Sequence, residues 1–526
     1  MFFIHDVFQK YRPKILNAVG LFWERTPALL YGLALFLGIS FYQVPFMAVA
    51  APILALWGCL PFALWKNQRD LIFRLLLAAS LACAGYFYAY TFDNAIEVPE
   101  EGLHGKARLV ITDIRKKKSS SGLNWYLDAM VQSFETSKRE ILSDVPVTLM
   151  LSAKEENFIP AVEQEWEVHA TLTYFQKIDK YFLKTRKDAR WTPLGHSWRG
   201  QLTLWRERIK RAVADYTSSV MESSRSGPFL AGMVTGQFDD TVLKHHFGRF
   251  GVQHILAISG FHFSLLGAIA GFFLRLFMTK RFATGLLGIL LSGYFLILGV
   301  TASVLRAWLT ITIAICAYLL QRRPTALNSL GIALAAVSLI EPSCYGQVGF
   351  QCSFAITAAI LMFYHPSHKL FEKLLPVRHL SQAIQWDFFT QHVYIASGAV
   401  RTILALTLAV NLAAIPLLIY HFQSFPLFSL LYNLFFPFFV SLSMFFLIVG
   451  SLLHAFFETL GQLIHTLNGY YTYFVVSLAL EAPPAMDIVI RTTEIPAAIV
   501  TAFLTLLFAL GIAYKSPQQD EWISFF

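Results

Sequence analysis

Thr402 to Phe457 reads TILALTLAVNLAAIPLLIYHFQSFPLFSLLYNLFFPFFVSLSMFFLIVGSLLHAFF, 56 residues without an Asp, Glu, Lys or Arg. A membrane-spanning helix needs about 20 apolar residues, so this run is long enough to cross a bilayer, and His421-Phe422-Gln423-Ser424 punctuates it. Thr26 to Trp65 (40 residues) and Phe250 to Leu274 (25 residues) are also uncharged. Over all 526 residues the chain is 56% apolar and 14% charged, with 48 Phe; soluble domains average about 45–50% and about 25%. A purely soluble protein is excluded. The charge is nonetheless +9, from 42 Lys+Arg against 33 Asp+Glu.

Charge density divides the chain. Residues 1–90 hold a basic start (MFFIHDVFQKYRPK), an apolar hairpin broken near Gln43-Val44-Pro45, a basic connector (Lys66, Arg69, Arg74) and a third apolar segment, which predicts three spans. The first is read as retained, because no short apolar core with a small-residue cleavage site precedes it. Residues 226–515 alternate apolar runs with connectors rich or poor in Lys/Arg. Lys280-Arg281, Arg322-Arg323, Lys369 to Arg378 and Lys515 mark the cytoplasmic side, which predicts nine further spans, a short tail at 516–526 and both termini inside. Cys59, Cys83, Cys316 and Cys352 lie in apolar runs and Cys344 in a connector, with no CxxC, so no disulfide framework is expected.

Between the membrane regions, residues 91–200 contain no run able to span. Lys106–Arg115 and Trp125–Phe134 alternate and flank the turn-rich KKKSSSGLN, while Pro146–Ser152 and Glu165–Phe175 add two β-type runs. A small barrel or sandwich of about five strands is predicted, facing outward. From Gln132 to Val168 there are eight acids against three bases, whereas Thr171 to Arg211 holds 11 Lys+Arg against three Asp+Glu. Aromatic residues are interleaved with this basic stretch. Residues 201–225 read as a basic amphipathic helix: Leu202, Trp205, Ile209, Val213 and Tyr216 form its stripe, with Arg206, Arg208, Lys210 and Arg211 around it.

Polar residues inside apolar segments are expensive and normally face a bundle interior or a hydrated path. His254-Ile-Leu-Ala-Ile-Ser-Gly-Phe-His262 carries two His, with Ser259-Gly260 placed to interrupt a helix; close packing and interhelical hydrogen bonds are the other reading. Arg306 lies between uncharged runs of 24 and 15 residues, as an anion contact or as a side chain snorkelling from a helix end. Gln351, Ser353, Asn411 before Pro416 and Asn433 before Pro437 are further lining candidates, each also readable as packing glue, and the two prolines signal local helix breaks. Asp239, Asp240, His245 and His246 match no metal signature, which favours a solvated connector over a metal site. There is no HxHxDH cluster, GxxxxGK[ST] loop or GxSxG elbow, so neither an ATPase nor a recognisable hydrolase is expected, and no cofactor.

Gly251-Val-Gln-His-Ile-Leu-Ala-Ile-Ser-Gly-Phe-His262 resembles the HLLAISGLH hallmark of the ComEC family of competence membrane channels. Ser303-Val-Leu-Arg-Ala307, Gly349-Phe-Gln-Cys-Ser-Phe354, Ile415-Pro-Leu-Leu-Ile-Tyr-His-Phe422 and Asn433-Leu434 follow in the family's order. Thr235-Gly236-Gln237-Phe238-Asp239-Asp240 stands where many members read Leu-Gly-Asp, and Phe261 replaces a Leu. The resemblance implies a polytopic α-helical channel of about 12 spans in the bacterial inner membrane, with an inserted OB-like extracytoplasmic domain. It implies passage of single-stranded transforming DNA into the cytoplasm, drawn by a cytoplasmic ATPase or helicase after capture by a periplasmic or surface DNA receptor. Many members continue into a metallo-β-lactamase-like domain credited with degrading the other strand; here a separate nuclease is expected wherever that step is needed. A homo-oligomer is compatible with this reading.

The implied path is lined by His254, Ser259, Gly260, His262, Arg306, Gln351, Ser353, Asn411 and Asn433. Single strands are held by pairing phosphates with Lys/Arg and stacking bases on aromatic rings. In the outer domain Arg115, Lys116, Lys117, Lys118, Lys177, Lys180, Lys184, Arg186, Lys187 and Arg190 supply the charge, and Trp125, Tyr174, Tyr181 and Trp191 the rings. The basic helix can instead contact lipid headgroups. A secondary transporter of an anionic small molecule is the alternative, disfavoured by the lack of a visible inverted repeat.

Overall fold

A computed structural model describes residues 22–41, 69–92, 102–119, 122–136, 140–142, 145–152, 165–175, 180–185 and 189–194, and then 198–514 apart from 222, 224, 239, 257, 259, 323–324, 378–385 and 482–487. The chain forms two compact units, one from residues 93–212 and one from the flanking regions.

The first apolar segment gives α1 (Pro27–Ser40) and the third gives α2 (Arg69–Phe92); the span expected between them lies outside the described residues. Helices this apolar gain little from hydrophobic contact in lipid and associate through close backbone approach at small residues. A Cβ on Gly38 would collide with the Ala82 carbonyl of α2, and one on Gly85 would lie 2.6 Å from the Leu35 oxygen.

The polar block folds into β1 (Leu103–Ser119), β2 (Gly122–Glu135), β3 (Glu140–Leu142), β4 (Val145–Ser152), β5 (Glu165–Phe175), β6 (Lys180–Thr185) and β7 (Thr192–Leu194). Strands β1-β2-β4-β6-β5 pair in that order and β5 returns to β1, closing a five-stranded barrel. Every pairing in the ring is antiparallel except β4 with β6. This closed, mixed connectivity is the OB-like barrel. Its core follows the two-residue period of a pleated strand: Ala107, Leu109 and Ile111 from β1, Leu127, Ala129 and Val131 from β2, Val147 and Leu149 from β4, and Trp166, Val168, Ala170 and Leu172 from β5. Register shifts at Arg108/Leu109 and Ile111/Asp113 mark bulges in β1, the device that bends a strand. Bending lets one long strand pair with β5 over its first half and with β2 to its end.

Across β1 and β5, Lys106 Nζ and Arg108 Nε reach the Glu167 carboxylate at 2.8 and 3.3 Å. The hydrogen bond from Lys106, aided by both positive charges, holds the Glu167 carboxyl below its ordinary 4.5 despite some desolvation.

The basic amphipathic segment forms α3 (Trp198–Val220), which belongs to the helical unit from Val213 onward, and that unit continues through α4 (Ser226–Thr235), α5 (Thr241–Arg249), α6 (Gln253–Leu256), α7 (Gly260–Phe277), α8 (Lys280–Leu298), α9 (Ala302–Leu319) and α10 (Ala326–Ile340). A 3-10 turn (Pro342–Gly346) precedes α11 (Val348–Glu372), α12 (Phe388–Phe422), α13 (Ser429–Phe456), α14 (Glu458–Leu480) and α15 (Ala497–Tyr514). Among the described residues, six helices can cross a membrane by length and composition: α2, α8, α9, α11, α12 and α13. Four shorter apolar helices accompany them in α1, α7, α10 and α15. The protein is thus a polytopic helical membrane protein with an inserted barrel. Two short strands, β8 (Ser424–Pro426) and β9 (Val489–Arg491), pair antiparallel and tie the connector after α12 to the connector after α14.

The N-terminal helices are built into this unit. Gly32 of α1 meets Gly331 of α10 so closely that a Cβ on either would strike the other helix's backbone. Asn328 of α10 accepts a hydrogen bond from Ala28 N and donates one to Arg25 O, satisfying polar groups at the start of α1.

Replacing Gly331 with Leu should therefore destabilise the helical unit by at least about 1–3 kcal/mol, the cost of overpacking, read as a lower unfolding midpoint in detergent. The Glu167 ion pair contributes fully above the ordinary glutamate value and is lost as the pH falls through the lower value of the folded state. Glu167→Gln should cost the barrel about 0.2–1 kcal/mol at neutral pH, and the gap to wild type should close in strong acid, as followed by Trp fluorescence.

Candidate functional site

The helix interruption expected at Ser259-Gly260 is present: α6 stops at Leu256 and α7 starts at Gly260. Ser259 itself lies outside the described residues. A helix start leaves its first amide N–H groups without intrahelical acceptors, and the side chain brought up to this one is Arg306. Its Nη2 lies 3.1 Å from where a Cβ on Gly260 would sit.

Arg306 stands in the second turn of α9, half-buried. Its Nε donates to Ser353 Oγ on α11 at 2.7 Å. It is turned between helices rather than snorkelling to an end, and among the described residues no carboxylate lies within 4.0 Å of it. The start of α9 is tied to the start of α11 a second time, where Ser303 Oγ donates to Gly349 O at 3.4 Å.

Two residues before Ser353, Gln351 Nε2 donates to Tyr345 O at 2.7 Å, which orients the amide and leaves Oε1 facing His421 Nε2 at 2.8 Å. A carbonyl oxygen only accepts, so the His421 tautomer here carries its proton on Nε2. His421 is in the last turn of α12. The starts of α7, α9 and α11 thus meet at Arg306, and the start of α11 is joined to the end of α12 by the Gln351–His421 pair.

The remaining path candidates are more dispersed. His262 is buried in the first turn of α7, whereas His254 on α6 is exposed. Asn411 donates to Thr407 O one turn back on its own helix at 2.8 Å. Asn433 is half-buried, and its Oδ1 has no hydrogen-bond partner among the described residues. The local breaks expected near Pro416 and Pro437 are absent: α12 and α13 run through both, since one missing N–H is tolerable where neighbouring helices support the backbone. His421 and Tyr345 are the additions that the sequence reading did not single out. The available signal was a His interrupting a long uncharged run.

In the weak metal candidate, Asp239 lies outside the described residues, and Asp240 caps α5 by accepting from Val242 N and Leu243 N. His245 and His246 are successive helical residues with rings 5.8 Å apart at 84°, so they diverge around the helix.

On the barrel, Tyr174 of β5 and Tyr181 of β6 pair across the strands with ring centroids 4.8 Å apart, and Tyr174 is 38% exposed. Trp191 is instead half-buried, edge-on to Trp166 at 6.2 Å, and packs against the core. Lys184 and Arg190 are exposed. Arg115, Lys116, Lys117 and Lys118 pair in backbone register with Tyr126, Trp125, Asn124 and Leu123 beside the β1–β2 turn. Lys180 begins β6 opposite Phe175. Lys177, Arg186 and Lys187 lie outside the described residues.

The family model described as "Competence protein" matches residues 237–517, more than half of the chain. The chain belongs to the competence protein family. ComE operon protein 3 of Bacillus subtilis (strain 168) is 27% identical over 231 residues, 43% of this chain and 26% of that protein, so the matched part spans about a quarter of the relative's length. No solved structure matches. All the segments meeting around Arg306 fall within the competence family match.

Ser353→Ala should leave the buried Arg306 Nε without its acceptor and cost about 1–3 kcal/mol of stability. Ser353→Thr, which retains the hydroxyl, should remain close to wild type in the same unfolding assay.

Proposed function

We propose that this chain conducts single-stranded DNA across the bacterial inner membrane into the cytoplasm, as a conduit rather than an enzyme. The observation that carries the reading is the Arg306 junction: a half-buried guanidinium at the start of α7, bonded to a neutral Ser, with no described carboxylate within 4.0 Å. A cation so placed draws anions, and a polyanion needs a hydrated route with cationic or hydrogen-bonding walls. Gln351 and His421 supply a neutral polar pair that joins the start of α11 to the end of α12.

The barrel has the role of receiving the strand outside. The basic residues beside the β1–β2 turn supply phosphate contacts, and the Tyr174–Tyr181 pair offers a stacking surface. About 12 spans place both termini in the cytoplasm, with basic connectors such as Lys280-Arg281 inside. The driving force comes from a cytoplasmic ATPase or helicase, since this sequence has no nucleotide-binding motif. A DNA receptor outside completes the assembly.

Arg306→Ala, at normal membrane abundance, should lower transformation at least ten-fold while surface capture of DNA persists, with Arg306→Lys intermediate. Wild-type transformation by the Ala variant would remove Arg306 from the path.

A further inference from the structure

Two five-residue segments repeat one pattern across the α13–α14 hairpin: Gly450-Ser-Leu-Leu-His454 near the end of α13, and Gly461-Gln-Leu-Ile-His465 in the first turns of α14. Each glycine makes room for the other helix's histidine. A Cβ on Gly450 would lie 2.9 Å from Cε1 and 3.1 Å from Nδ1 of His465, and one on Gly461 would collide with the His454 backbone. The two imidazole centres are 5.9 Å apart at 64°. Tyr216 of α3 closes a triangle, with its ring 6.3 Å from His454 and 5.8 Å from His465, and its hydroxyl 3.0 Å from His465 Nε2. Gln462 Nε2 donates to Val220 O at 3.2 Å, which fixes the end of α3 on the same hairpin.

His465 is fully buried and His454 half-buried, and Nδ1 of each is a buried atom without a hydrogen-bond partner among the described residues. The tautomer of His465 follows. If Tyr216 donated to Nε2, Nδ1 would carry a buried N–H with no acceptor, the arrangement that folded proteins avoid most. Nε2 therefore donates to the Tyr216 oxygen, and Nδ1 presents a bare lone pair. That nitrogen lies against Gly450, one helical turn before His454 on α13. The surroundings favour a cation. Helices α3 and α13 both end here, at Val220 and Phe456, and helix C-termini carry partial negative charge. The start of α14, of opposite sign, bears Glu458 in its first turn. Glu458 and Asp215 of α3 are exposed, and among the described residues no carboxylate lies within 4.0 Å of either imidazole.

We infer that His454 and His465 together bind one Cu(I) ion, with Tyr216 orienting His465 from its other ring nitrogen. Two imidazole nitrogens about 2.0–2.1 Å from one ion put the ring centres roughly 5.2–6.4 Å apart, a range that includes the observed separation. The donor set selects the metal. Zn(II) takes four ligands and the hard cations take oxygen, whereas a two-nitrogen set suits monovalent copper. A buried pocket without a carboxylate also accommodates one positive charge at less cost than two. A partner that accepts from the second ring nitrogen is the usual support of a metal-bound histidine. The ion pins the end of α3 to the α13–α14 hairpin, and the site does not depend on what passes Arg306.

The test uses the full chain, purified in detergent through a tag without histidine, stripped with chelator and titrated with Cu(I) under reducing conditions against bathocuproine disulfonate. One ion per chain should bind, and X-ray absorption should give a first shell of imidazole nitrogen without sulfur. H454Q and H465Q should each weaken binding by more than about 100-fold, and Y216F by about 10–100-fold, the usual cost of removing an outer partner. G450A, which keeps both histidines but fills the space at Nδ1, should weaken it as well. Copper should raise the unfolding midpoint of the wild type and leave that of H465Q unchanged. Absence of binding by the wild type overturns the inference. A sulfur first shell also overturns it, because the copper then belongs to cysteine. Zn(II) binding at the two histidines without Cu(I) binding overturns the choice of metal. The wild-type stoichiometry and first shell are read directly, so a variant that fails to fold does not obscure the outcome.

Discussion

Holding a guanidinium among apolar helices costs about 2.5–3.5 kcal/mol even on the milder insertion scales. Arg306 is held there by three neighbours with separate tasks. Ser353 accepts from Nε, Gly260 has no side chain to obstruct Nη2, and the interruption before Gly260 presents a helix start rather than a sealed wall. Two of these neighbours are conditional on the fold: α11 must begin beside α9, and α7 must begin level with both. The Ser303–Gly349 hydrogen bond and the Gln351–His421 pair hold α9, α11 and α12 in that alignment. The helical unit is organised around a polar junction that an apolar bundle would not form for its own stability.

The barrel obeys a different constraint. Its stability comes from the two-residue alternation that fills the closed ring, and its surface charge is left over for other work. β1 must curl to close the ring, and the bulges that let it curl leave its basic end running on to the β1–β2 turn. The aromatic residues divide by burial. Trp166 and Trp191 close the interior, whereas Tyr174 is open to solvent.

Much of this was legible in advance because it depends on local periodicity and on length. The strand at Glu165–Phe175 coincides with β5 and the one at Trp125–Phe134 lies inside β2, which starts three residues earlier, since alternation and the flanking turn residues are local signals. The strand at Lys180–Thr185 was obscured by its flanking charges, although Leu183 enters the core. Pro416 and Pro437 misled in the opposite direction. A proline removes one hydrogen bond, and whether the helix breaks there depends on neighbours far away in sequence.

By itself the sequence determined the class of the protein: apolar runs too long and too uncharged for water, a polar block with strand periodicity, and ordered motifs typical of competence channels. It also named Gly260, Arg306, Gln351 and Ser353 as costly residues in apolar surroundings. Only the tertiary structure decided that Gly260 and Ser353 meet Arg306, that Gln351 pairs with His421, and that α1 packs on α10 through Gly32 and Gly331. The reason is physical. Local propensity and hydropathy report the free energy of a residue in its own helix or strand, whereas which polar groups satisfy one another is set by contacts between residues tens to hundreds of positions apart.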